Sequence, residues 1–133
     1  QAGTLSGNPL AMAAGLSVIE RLNDDVYSKL EDISSKIHEG LQINIEKTGI
    51  NANVARVGSM MTFFFSDSDR VKNYTEAKKC NTTHYSQYFK SMLELGIYLP
   101  PSQYECLFLS NKIDENDIEK IIYSNLKSLK KIK

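Results

Sequence analysis

The sequence predicts an α+β fold in which helices cover one face of a small antiparallel or mixed sheet. Three observations carry that expectation. Apolar residues recur at three- and four-residue intervals over two long segments, Val26 to Leu41 and Ile118 to Leu129. Apolar runs of strand length occur around Val54–Phe65 and Glu105–Leu109. Turn residues divide the chain into the order helix, helix, strand, strand, helix, strand, strand, helix, with no repeat or low-complexity linker. A length of 133 residues suits one compact domain with a modest core, and 41% hydrophobic residues is enough to build it.

The first element begins in the turn Gly3-Thr4-Leu5-Ser6-Gly7-Asn8-Pro9. Asn8 suits an N-cap, and Pro9 suits the first helical position, where its missing N–H costs nothing. Leu10, Met12, Leu16, Val18 and Ile19 follow among the small residues Ala11, Ala13, Ala14 and Gly15. This helix is apolar on more than one side, so it reads as buried in a larger protein. It does not fit the sheet layer, and it is expected to pack on another part of a longer parent. The opening at Gln1, inside a structured motif and without an initiator methionine, supports the same expectation.

Asn23-Asp24-Asp25 caps a second helix that runs to about Lys47, and Thr48-Gly49 stops it. Val54, Arg56 and Val57, then Met60 to Phe65, read as one or two strands around Gly58. The second run is apolar on both faces and therefore expected to be covered on both. After a polar turn and a looser stretch through Cys80, Tyr85, Phe89, Met92 and Leu93 mark one face of a helix over about 83–95, ended by Gly96. Ile97-Tyr98-Leu99 and Glu105–Leu109 read as short strands on either side of Pro100-Pro101, and Asp114 caps the last helix.

Sixteen basic residues balance sixteen acidic ones, which leaves no global field to attract nucleic acid or an anionic membrane. Lys127, Lys130, Lys131 and Lys133 gather at the end of the last helix, where cations complement the helix dipole. No apolar run reaches the roughly eighteen residues of a membrane span, and the first residues lack the pattern of a secretory signal. Cys80 and Cys106 have neither CxxC spacing nor enough histidines beside them for a metal site, and read as reduced thiols of a cytosolic or plastid-type compartment.

Three features could carry chemistry. Gly3 to Pro9 before a helix offers glycine flexibility, a Thr4 hydroxyl and a helix N-terminus to an oxyanion, although the same residues serve as a simple capped helix start. It lacks a Walker lysine and the GxGxxG pattern. Glu105, after Pro100-Pro101-Ser102-Gln103-Tyr104, is either a partly desolvated carboxylate suited to handling protons or an edge glutamate facing water. Phe63-Phe64-Phe65 reads as core. His38 and His84 fall on helix surfaces with no nucleophile motif near them, which argues against a hydrolytic triad.

The stretch Gln1-Ala2-Gly3-Thr4-Leu5-Ser6-Gly7-Asn8-Pro9-Leu10-Ala11-Met12-Ala13-Ala14-Gly15 resembles the signature of the glutamate-1-semialdehyde 2,1-aminomutases, of the fold-type I, class III aminotransferase group. Gly58 to Phe65, Val71-Lys72-Asn73-Tyr74 and Met92 to Glu105 agree with it in order and spacing, so the resemblance spans nearly the whole chain. It implies a pyridoxal 5'-phosphate enzyme that converts glutamate 1-semialdehyde to 5-aminolevulinate, the tetrapyrrole precursor, as a cytoplasmic or plastid homodimer. It further implies that residues 1–22 close the cofactor-binding large domain and that residues 23–133 form the C-terminal small domain. The Schiff-base lysine would lie upstream, leaving this chain inactive alone and with no catalytic residue of its own.

By the same resemblance, Thr4 and the backbone of Gly3 bind the cofactor phosphate of the neighbouring subunit, and Glu105 belongs to the substrate pocket. The chain departs from the family where Cys106-Leu107-Phe108 replaces Ala-Gly-Phe, and where Lys112-Ile113 stands near the usual Ala-His pair. Leu107 in place of glycine is expected to narrow or shift the pocket edge. Another class III aminotransferase is the alternative within the enzymes; a non-catalytic module dimerising through the first helix is the alternative outside them.

Overall fold

A computed structural model describes residues 3–132, so Gln1 and Ala2 of the signature and the terminal Lys133 lie outside the described residues. The elements are α1 (Pro9–Ile19), α2 (Asp24–Thr48), β1 (Asn53–Val57), β2 (Met60–Phe64), α3 (Tyr74–Ala77), α4 (Thr82–Glu94), β3 (Leu107–Phe108) and α5 (Glu115–Leu129). The three strands form one antiparallel sheet in the order β1-β2-β3. The α+β class holds, and the sheet is purely antiparallel.

Local chemistry sets the helix ends. The Asn23 side chain accepts from the Val26 amide, and Asp24 and Asp25 sit in the first turn of α2, where carboxylates suit the dipole. Asp114 and Asp117 form a reciprocal capping box at the start of α5. Between β1 and β2 the register pairs Val57 with Met60, leaving only Gly58 and Ser59 in the loop. Gly58 takes φ 54°, which a tight hairpin needs and a side chain resists.

The pleat sorts the apolar run of β2. Met61, Phe63 and the following Phe65 face α2, α4 and α5, where Ile33, Ile37, Leu41, Tyr88, Met92, Ile118 and Leu129 complete the core. Phe63 stacks on Tyr88 with ring centroids 4.9 Å apart, and Phe65 meets the same ring at 5.6 Å. Phe64 points the other way, onto Ala77 and Cys80. The long helices therefore lie on one face, as expected, while the single turn of α3 covers part of the second.

A fully buried polar chain ties the helix layer together. Asn44 donates to the Asn125 side chain at 2.9 Å and to the Ile122 carbonyl at 2.8 Å, and Asn125 donates to the Tyr88 hydroxyl at 2.9 Å. Ser128 and Ser91 bond to each other at 3.0 Å. Because each partner is satisfied, the network fixes the register of α2, α4 and α5 without an open desolvation cost.

Two expectations change. The segment Ile97-Tyr98-Leu99 is not a strand: the Ile97 amide returns to the Met92 carbonyl at the end of α4. The segment pairs with neither outer strand of the sheet, β1 or β3. The strand foreseen over Glu105–Leu109 shrinks to Leu107–Phe108, because the Glu105 amide closes a turn onto the Ser102 carbonyl. The looser stretch before Cys80 contains α3, which is only four residues long and capped by Asn73.

Helix α1 buries none of its residues. Leu10, Met12, Leu16, Val18 and Ile19 are each more than half exposed, so the unit formed by α2 to α5 and the sheet makes its core without them.

Gly40 of α2 lies directly against α5, since a Cβ there would meet the Ile122 side chain at 2.4 Å. Glycine to alanine inside a helix ordinarily stabilises by about 1 kcal/mol, but overpacking costs about 1–3 kcal/mol. Gly40→Ala is therefore expected to lower the urea midpoint, and adding Ile122→Ala to restore part of the loss.

Candidate functional site

Residues 3–8 form a compact exposed turn closed by two backbone bonds, Ser6 N to Gly3 O and Asn8 N to Leu5 O, each 3.0 Å. A Cβ at Gly3 would meet the Ser6 hydroxyl at 3.0 Å, so a side chain at that position would crowd the turn. The Asn8 side chain accepts from the amides of Leu10 and Ala11 and occupies the start of α1 with its own cap. The helix N-terminus is thus partly used internally. What remains to meet an anion is the exposed Thr4 hydroxyl and the glycine backbone beside it, a small polar donor set that fits a phosphate group.

The second candidate lies across the small unit. A cavity of about 260 Å³ opens between the sheet, α4 and residues 97–113. Its wall is largely apolar, with Ile37, Met61, Phe63, Met92 and Leu107 contributing, and Glu105 brings a carboxylate to it. Glu105 is itself exposed, which of its two readings favours the edge glutamate facing water. Leu107 pairs with Met61 and lines the same cavity as Glu105. The residues of the 3–8 turn are absent from its lining, so Thr4 and Glu105 are not brought together in one chain.

Tyr85 was legible in the sequence only as one of the apolar positions of α4. It is buried, lines the cavity, and donates from its hydroxyl to the Pro100 carbonyl at 2.7 Å. Burial pushes its hydroxyl up to about 12, and the nearby Glu105 carboxylate pushes in the same direction. Burial also raises Tyr88, against the opposing effect of its Asn125 hydrogen bond. No spacing rule announces a tyrosine that bonds a carbonyl fifteen residues away.

The remaining candidates fall to structural roles. His84 sets its ring edge-on to Phe65 at 5.8 Å. Cys80 is buried, and that burial pushes its thiol up, away from the reactive thiolate. Among the described residues no helix is long and apolar enough to cross a membrane.

Compared with solved structures, this fold corresponds to a segment of the class III aminotransferases, a group of pyridoxal-phosphate enzymes. A glutamate-1-semialdehyde aminomutase from Pseudomonas aeruginosa superposes with a TM-score of 0.85 at 19% identity, over 99% of this chain and 29% of that one. A variant of that protein was also solved in complex with PMP. No protein-family model matches the chain.

Sequence similarity is more specific. Glutamate-1-semialdehyde 2,1-aminomutase of Clostridium kluyveri is 44% identical over 124 residues, which is 92% of this chain and 29% of that protein. The enzyme of the same description from Chloroherpeton thalassium is 47% identical over 131 residues, 98% of this chain and 30% of its own length. The chain is thus a homologue of the glutamate-1-semialdehyde 2,1-aminomutases, and it spans about 30% of the length of the curated relatives it matches.

The raised Tyr85 hydroxyl sets a pH dependence. Its folded value, about 12, lies above the ordinary 10, so the folded state holds that proton more tightly. The stability it contributes is complete below pH 10 and is lost as pH rises toward 12. Urea midpoints at pH 9, 10 and 11 are expected to fall, and to fall less steeply in Tyr85→Phe.

Proposed function

We propose that this chain is the C-terminal part of a pyridoxal-phosphate-dependent aminomutase that converts glutamate 1-semialdehyde to 5-aminolevulinate. Residues 1–22 close the large, cofactor-binding domain and residues 23–133 are the small domain. The observation that carries this reading is 44–47% identity to aminomutases over 92–98% of the chain. The fold likeness, shared with other transaminases, supports the wider class only.

When bound, pyridoxal phosphate supplies the carbonyl and electron sink on which amino groups are exchanged. The role of this chain is to hold and to shape. The Thr4 hydroxyl, with the Gly3 backbone, donates to the cofactor phosphate of the neighbouring subunit in a homodimer. Glu105 lines the substrate end of the site, with Leu107 beside it where relatives of this family carry glycine. On this reading the lysine that carries the cofactor lies in another part of the enzyme, and the 133-residue chain does not turn over alone. The enzyme works in the cytoplasm, or in the plastid of a photosynthetic eukaryote.

The test is conversion of glutamate 1-semialdehyde to 5-aminolevulinate by the full-length protein purified with its cofactor. Turnover is expected; bound cofactor without turnover would point to another class III substrate, and failure to bind cofactor would overturn the enzyme reading. In the same protein Thr4→Val is expected to weaken cofactor retention by about 1.5–3 kcal/mol, the worth of one hydrogen bond to a charged group. Equilibrium dialysis of the cofactor against both forms reads this directly, and equal retention would remove Thr4 from the phosphate site.

A further inference from the structure

We infer that Tyr85 is a positioning residue for Glu105: its hydroxyl holds the Pro100 carbonyl and so fixes the turn from Pro100 to Glu105 at the cavity. The inference rests on the reading of Glu105 as a substrate-pocket residue.

The turn is closed on itself. The Glu105 amide bonds the Ser102 carbonyl at 3.1 Å, and the Tyr104 amide bonds the Ser102 hydroxyl at 3.2 Å. Pro100 and Pro101 stiffen its first half and have no N–H with which to tie it to the sheet. Residues 102–105 are therefore held at two ends, by the pairing of β3 with β2 after them and by whatever grips Pro100 before them. The Tyr85 hydroxyl provides that grip at 2.7 Å, from a tyrosine only 6% exposed on a thirteen-residue capped helix. Tyr85, Pro100 and Glu105 all line one cavity.

The middle of the turn is packed into the protein at Gln103, which is 1% exposed. Phenylalanine would fill the apolar place of Tyr85 equally well, so Tyr85→Phe removes only the directional bond to the Pro100 carbonyl.

The experiment uses the full-length holoenzyme with Tyr85→Phe, Glu105→Gln and the double variant. Tyr85→Phe is expected to raise KM for glutamate 1-semialdehyde about three- to tenfold, the range one hydrogen bond allows, with the cofactor spectrum unchanged. Amide hydrogen exchange at Tyr104 and Glu105 should quicken in this variant. In the Glu105→Gln background the same substitution should add nothing further to KM. Equal losses in both backgrounds, or unchanged exchange at 104 and 105, would overturn the positioning role and leave Glu105 in the pocket. Unaltered kinetics in Glu105→Gln would instead overturn the reading of Glu105, and with it any catalytic meaning of the Tyr85 bond.

Discussion

Tyr88 joins the sheet to the helix layer with both ends of its side chain. Its ring stacks on Phe63 and meets Phe65 edgewise, so the aromatic part belongs to the core above β2. Its hydroxyl accepts from Asn125, which in turn accepts from Asn44, so the polar end belongs to the contact between α2 and α5. Dispersion and ring geometry alone would leave the helices free to slide by a turn. The directional bonds remove that freedom, because a slip would strand three buried polar groups at once.

Everything near the cavity inherits this register. Tyr85 lies one helical turn before Tyr88 on α4, on neighbouring parts of the same face. Once Tyr88 is fixed by its partners, the Tyr85 hydroxyl has a fixed place beside Pro100, and the loop carrying Glu105 is hung from it. A carboxylate on an irregular segment is thus held by a chain of contacts that begins in the deepest part of the core. That is how a loop, with few bonds of its own, can present a side chain at a repeatable position.

Much of this was legible in the sequence because its signals are local. The caps at Asn23 and Asp114 and the three- and four-residue spacing in α2 and α5 depend on residues within a turn or two of each other. Ile97-Tyr98-Leu99 misled because three apolar residues before two prolines look like a strand, while in the fold the Ile97 amide turns back onto the end of α4. α3 is too short to show a period at all. The site divides in the same way. Residue chemistry left Gly3, Thr4 and Glu105 with two readings each, and it is resemblance to a family that proposes a role for them. Tyr85 escaped both approaches, since its partner is a backbone carbonyl whose position is decided by tertiary packing.

Among the described residues the sheet has three strands and therefore two outer edges, and they differ as templates for another chain. On one side β1 runs five residues, and its Arg56 turns toward α2, held by Glu31 at 2.8 Å and by the Gly58 carbonyl at 3.2 Å. On the other, β3 offers two residues before the chain bends away. A margin that short offers little for another chain to pair with, so edge-to-edge aggregation is disfavoured on that side while the unit is being made.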